Sequence, residues 1–99
     1  MLKIFVDWAR RVTAQSLGEG IEAQVTESAM SENRSARLDI DTRTTVARIT
    51  CWESGNYHAE VIDMKSERTI FSAQGHLRDG DAIAEHFGAF LEAQHITLK

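Results

Sequence analysis

The stretch CWESGNYHA, residues 51–59, crowds a thiol, a carboxylate, a hydroxyl and an imidazole together. These residue types can do covalent chemistry, in which a base within hydrogen-bond reach activates a thiol or hydroxyl nucleophile. Cys51 with His58 is the obvious pair, and Ser54 is the second nucleophile. Glu53-Ser54-Gly55 does not make a nucleophile elbow, because the flanking glycines of that motif are missing. The other histidines are His76, His86 and His95, with no H-E-x-x-H, no Cys-x-x-Cys and no tight His/Asp cluster. No metal site is expected from that spacing. Gly18-Glu19-Gly20 lacks a third glycine and precedes a strand pattern. It reads as a helix stop, not a dinucleotide loop, so no cofactor is expected.

What these residues can do depends on the elements that hold them. Phe5, Trp8, Ala9 and Val12 recur at helical spacing, which predicts an amphipathic helix over residues 3–17, with Gly18 just past its end. The period then changes to two. Ile21, Ala23 and Val25 alternate with polar residues and predict a strand over 21–26, followed by a polar loop over 28–35. ARLDID repeats the alternation, with a turn around residues 42–44. VARITCW and YHAEVID are rich in strand formers, and RTIFSAQ supplies a fifth strand after the turn MKSE. Ile83, Phe87, Phe90 and Leu91, widened by Ala84, predict a second amphipathic helix over 81–95, with Asp79 or Asp81 as its N-cap. Short links between successive strands imply an antiparallel meander. The expected fold is therefore α+β: an N-terminal helix, a five-stranded antiparallel sheet and a C-terminal helix, with both helices on one face.

Register decides the fate of the opening stretch. A two-residue turn at Ser54-Gly55 would place Ile49 opposite Glu60 and mix apolar with charged groups on each face. A three-residue loop, Glu53-Ser54-Gly55, with Gly55 in the left-handed conformation, shifts every pairing by one. Cys51 then faces Tyr57, Ile49 faces Ala59 and Ala47 faces Val61 on the helix side. Thr50 faces His58 and Arg48 faces Glu60 on the other. Burial of one whole face selects the second register. It sends Cys51 and His58 to opposite faces, so they cannot act together. A free cysteine is among the residues most often buried, so Cys51 reads as core. Extending the pairing puts Asp39 opposite Arg48 and makes an Asp39–Arg48–Glu60 ladder. On the last hairpin, Val61 opposite Phe71 puts Ile62 opposite Ile70, and Asp63 falls at a strand end on the helix side. Trp8 reads as core. Trp52, near the hairpin tip, shares the helix-free face with Ile62 and Ile70.

Length and composition set outer limits. The chain has 99 residues, 42% hydrophobic and 26% charged, which fits one domain spanning residues 1–99. Net charge is −4 with no basic block, which argues against nucleic acid and favours a basic partner. The lone cysteine suits a reducing cytoplasm. The apolar run near the N-terminus is too short for a signal peptide or a membrane span.

The run ARITCWESGNYHAEVID, the polar loop before RLDID and the closing amphipathic helix together resemble the TriTu family, immunity proteins of bacterial polymorphic toxin systems. The similarity covers about residues 4–93. Its most specific part is Arg48-Ile49-Thr50, then Trp52-Glu53-Ser54-Gly55, then Glu60-Val61-Ile62-Asp63. The resemblance implies a non-catalytic antidote that binds a cognate toxin in the producing cell and blocks it stoichiometrically; the sequence leaves monomer and homodimer both open. It carries no catalytic residue onto this chain. The residues expected to meet a partner are Asp39, Arg48, Trp52, His58, Glu60, Ile62 and Ile70, while Trp8, Cys51, Gly55, Phe87 and Phe90 are structural. A small acidic secretion chaperone is the alternative. An enzyme using His58, Glu60 and Arg48 is a third reading, and it requires a deep pocket over the helix-free face.

Overall fold

The computed structural model describes residues 2–15, 17–28, 32–78 and 81–96. The chain runs α1 (Leu2–Ala14), β1 (Glu22–Ser28), β2 (Ser35–Asp41), β3 (Thr45–Trp52), β4 (Asn56–Asp63), β5 (Thr69–His76), α2 (Ile83–His86) and α3 (Gly88–Glu92). The five strands lie in chain order in one antiparallel sheet. Two-residue periodicity gives each central strand one buried side. Leu38 and Ile40 of β2, Ile49 and Cys51 of β3, and Val61 of β4 have no exposed surface. Against that side pack Phe5, Trp8, Ala9 and Val12 of α1, and Phe87, Phe90 and Leu91 from the C-terminal segment. The helices touch the sheet from β1 to β4, so one face is covered and the expected layering holds.

The central hairpin has the expected register, with Cys51 opposite Tyr57, Thr50 opposite His58 and Arg48 opposite Glu60. Gly55 is left-handed at φ 97°, its N–H donates to Trp52 O at 2.8 Å, and its carbonyl accepts from the Leu77 N–H at 2.8 Å. Leu38 opposite Ile49 and Asp39 opposite Arg48 follow the same logic.

Several boundaries differ from expectation. The first helix ends at Ala14, so Gly18, at φ 133°, belongs to the following loop and does not cap the helix. β1 starts one residue later and runs to Ser28, paired along its length with β2. The C-terminal helix is broken in two at Phe87, whose φ −102° and ψ 14° leave the helical region. Both sides of the break keep their apolar residues buried, but Ala84 is exposed and does not widen the stripe. The N-cap of α2 is Ala82, with no side-chain cap. Asp81 instead accepts the Arg78 N–H at 2.8 Å, and Asp79 lies outside the described residues. The segment ends in a Schellman motif: Ile96 N–H donates to Leu91 O and His95 N–H to Glu92 O, with His95 left-handed at φ 60°.

The last hairpin carries the clearest correction. Val61 does oppose Phe71, but Ile62 opposes Thr69, not Ile70. The turn explains the slip. The Asp63 carboxylate accepts both the N–H and the hydroxyl of Ser66 at 2.8 Å. These bonds hold its carboxyl below the usual range. Glu67 turns left-handed at φ 59°, and Asp63 N–H closes on Arg68 O at 2.8 Å. That closure leaves one extra residue in β5, Ile70, as a bulge. Asp63 is therefore the keystone of the turn and is no cost to the register.

Gly55 can be tested directly. A side chain there faces positive φ, and its Cβ would lie 2.6 Å from the Leu77 carbonyl oxygen. Gly55→Val should lower stability by about 1–3 kcal/mol, read as a fall in Tm. An unchanged Tm would refute the bulged loop.

Candidate functional site

The alternation that buries one face of the sheet displays the other, and cross-strand pairing sorts that face into rows. Trp52, Asn56 and His76 lie at the tip of the β3–β4 hairpin. Next comes the row Thr26, Arg37, Thr50, His58 and Gln74, then the row Gln24, Asp39, Arg48, Glu60 and Ser72. The last row is Glu22, Asp41, Val46, Ile62 and Thr69. All the residues expected to meet a partner are on this face or, for Ile70, in its bulge.

They do not form one patch. Trp52 and Val46 stand six residues apart on β3, about 20 Å at ordinary strand rise. Trp52 is half-buried and lines a shallow depression of about 500 Å³ with Asn56, His58, Gln74 and His76. His76 Nδ1 and Asn56 Oδ1 lie 2.9 Å apart, which pins one ring against the depression. The apolar corner lies at the other end, where Ile62 is half-buried, Val46 is 42% exposed and Ile70 is 52% exposed. Val46 and Met64 at this corner were not foreseen, although the Val46–Ile62 pairing follows directly from the hairpin register.

Between the two ends sits a charged band. Arg48 Nε donates to Asp39 Oδ1 at 2.6 Å, and Arg37 Nε donates to the other oxygen at 3.0 Å. The expected ladder stops there: among the described residues Glu60 closes no ion pair with Arg48, although the two are cross-strand neighbours. Asp39 holds both guanidiniums, so the carboxylate of Glu60 stays available. Exposed pairs of this kind contribute only about 0–1 kcal/mol each. Their effect is to fix the two guanidinium forks over the centre of the face. At the edge, Glu22 sits directly opposite Asp41, a like-charge pair that costs stability.

His58, Glu60 and Arg48 are neighbours here, as the enzyme reading requires. No hydrogen bond joins them among the described residues, and the depressions on this face are open to solvent. Cys51 points to the other side. Its sulfur is fully buried, and burial pushes the thiol up to about 11. At neutral pH it is a protonated core residue without a base.

One polar contact escaped the sequence. Tyr57, on the helix side, shares a hydrogen bond of 2.7 Å with His86 Nε2. Its ring packs edge-on against both His86 and Phe87 at 5.1 Å. Gly75 makes room for it, since a Cβ there would lie 2.9 Å from the Tyr57 hydroxyl. Burial and the nearby Asp81 raise the Tyr57 phenol above its usual range. This contact ties α2 to the sheet and gives His86 a structural task. The Trp8 indole N–H is buried with no partner among the described residues.

Among the described residues no helix is long and apolar enough to cross a membrane. The family model for Immunity protein TriTu matches residues 3–93 of the chain. No curated protein matches it.

Cys51 gives a clean check on the core assignment. At pH 8 a thiol raised to about 11 is almost wholly protonated, and it is also sealed from solvent. Alkylation of the native protein should run no faster than opening of the fold, and should become rapid in denaturant. Fast stoichiometric labelling of the folded chain would contradict this placement.

Proposed function

The chain belongs to the TriTu immunity protein family, and on that footing we propose that it binds a cognate bacterial toxin and neutralises it by occlusion. It does so in the cytoplasm of the cell that makes both, as the antidote of a polymorphic toxin system, with no chemistry of its own. The docking surface is the helix-free face of the sheet. The observation that carries this reading is the composition of that face. Exposed apolar side chains, Val46 and Ile70, stand at one end, the half-buried Trp52 ring stands at the other, and a band of oriented charges lies between them. The corner formed by Val46, Ile62 and Ile70 supports a docking role, because exposed apolar clusters mark interaction surfaces.

Each zone has a role in the proposal. Trp52 is the anchor, because a large rigid ring beside a shallow depression can bury much area at little entropic cost. Asp39, Arg37 and Arg48 present pre-organised forks and acceptors to a polar strip of the toxin. Glu22, Asp41 and Glu60 make the face acidic on balance and steer a basic surface toward it. Ile62 and Ile70, with Val46, cover the far side of the contact.

The test is co-expression with the product of the adjacent gene. The chain should restore growth and bind that product stoichiometrically. Trp52→Ala should weaken binding by about 10- to 30-fold without lowering Tm, as for an aromatic anchor. Arg48→Ala should weaken it less. Equal killing with and without the chain would sink the antidote reading. Wild-type affinity in the Trp52→Ala/Arg48→Ala double variant would place the docking surface elsewhere.

A further inference from the structure

The sheet has two edges, and they are not alike. β1 carries Glu22 and Glu27 and has α1 packed beside it, with Arg10 of that helix bonded to Glu27 at 2.7 Å. Charge and cover are the ordinary ways a protein blunts an edge. β5, TIFSAQGH, has neither a charged residue nor a proline along its length. Most of it is exposed, and among the described residues nothing pairs with its outer side.

The direction of its backbone groups follows from one bond. Leu77 N–H donates to Gly55 O across the β4–β5 ladder. By the alternation of a strand, Ala73 and Gly75 also point their N–H and C=O into the sheet, while Ser72, Gln74 and His76 point theirs outward. Three alternate pairing positions are thus left open, and in the register below Ser72 and Gln74 pair clear of the Ile70 bulge.

We propose that β5 is the interface between two copies of this chain, paired antiparallel about a two-fold axis at Ala73. In this register Ser72 of one copy lies opposite Gln74 of the other, so the outward N–H and C=O groups satisfy each other in both directions. The helix-side residues stay on the helix side. Phe71, half-buried against Phe90, lies opposite Gly75 of the second copy, whose helix side is already covered by Tyr57 of its own sheet, and Ala73 meets Ala73 at the axis. The strand is therefore complementary to its own reverse in size and in hydrogen bonding. A second copy also closes both open edges at once, which a foreign strand would not. The helix-free faces of the two copies then form one continuous surface.

Charge sets the salt response. Each copy carries −4, so association works against mutual repulsion, which salt screens beyond about 8 Å at physiological ionic strength. Added salt should strengthen this contact, whereas it should weaken capture of a basic toxin. The two proposals therefore stand or fall separately.

The test needs only the purified chain. Sedimentation should show a concentration-dependent dimer that tightens with salt. Amide exchange of the wild type should slow at Ser72 and Gln74 as concentration rises, and those two amides should exchange freely when dilute. Ser72→Pro and Gln74→Pro remove N–H groups that the monomer does not use, so the fold by circular dichroism should persist. Each should weaken dimerisation at least about tenfold. Ala73→Pro removes a bond inside the sheet and should unfold the chain. Monomeric sedimentation with unprotected Ser72 and Gln74 amides at every concentration would overturn the proposal. A dimer whose strength survives Gln74→Pro would overturn it too. So would a monomer that protects these amides only when the toxin is added.

Discussion

The facing of the two central strands descends from the left-handed conformation of Gly55. A three-residue loop closed by that glycine puts Cys51, Ile49 and Ala47 on the helix side of β3. A loop one residue shorter would turn one strand over and bury Arg48 or Glu60. The glycine acts at a second point as well. Its carbonyl receives the Leu77 N–H, and Leu77 is itself buried. The tip of one hairpin is thereby stitched to the end of β5. The chain leaves the sheet toward its last helices from that stitch.

Those helices are held by aromatic packing more than by their own caps. Phe5, Trp8 and Phe87 pack with centroids between 5.3 and 6.1 Å, and Tyr57 joins them through Phe87. α2 has no side-chain cap, and neither α2 nor α3 is long enough to be stable alone. Their stability comes from Phe87, Phe90 and Leu91, each of which contributes roughly 1.5–3 kcal/mol when fully buried. The break at Phe87 is consistent with that balance. Seating this ring among Phe5, Trp8 and Tyr57 outweighs the helical geometry lost there.

The parts that could be read in advance were those set by period and by one turn. Alternation in ARLDID, VARITCW and YHAEVID fixes which side chains share a face, and Gly55 fixes their phase. The parts that could not be read were those set by competition between local bonds. Asp63 looked like a misplaced charge because nothing in its neighbourhood announces that Ser66 will cap it, and the Ile70 bulge follows from that cap. The helix over 81–95 looked continuous because a 3.6-residue period does not register a single non-helical residue. Among the site residues, face was predictable and proximity was not. Trp52 and Ile62 share a side by parity, and the register puts Asp39, Arg48 and Glu60 between them, but it does not show that Asp39 takes both Arg37 and Arg48 and leaves Glu60 out.

That band sharpens the case for the helix-free face. Folding asks of it only that its residues be strand-compatible and wettable. Threonine, serine and paired charges would satisfy both demands. Instead the face presents Trp52, Val46 and Ile62 with Ile70 beside them, and it sets Glu22 against Asp41. Exposed apolar groups gain little from the sheet they stand on, and opposed carboxylates repel. Neither choice stabilises the isolated fold. Both become favourable against a surface that buries the apolar ends and brings cations to the acidic corner. The covered face is explained by the core of this chain, and the open face is accounted for by the docking role proposed for it.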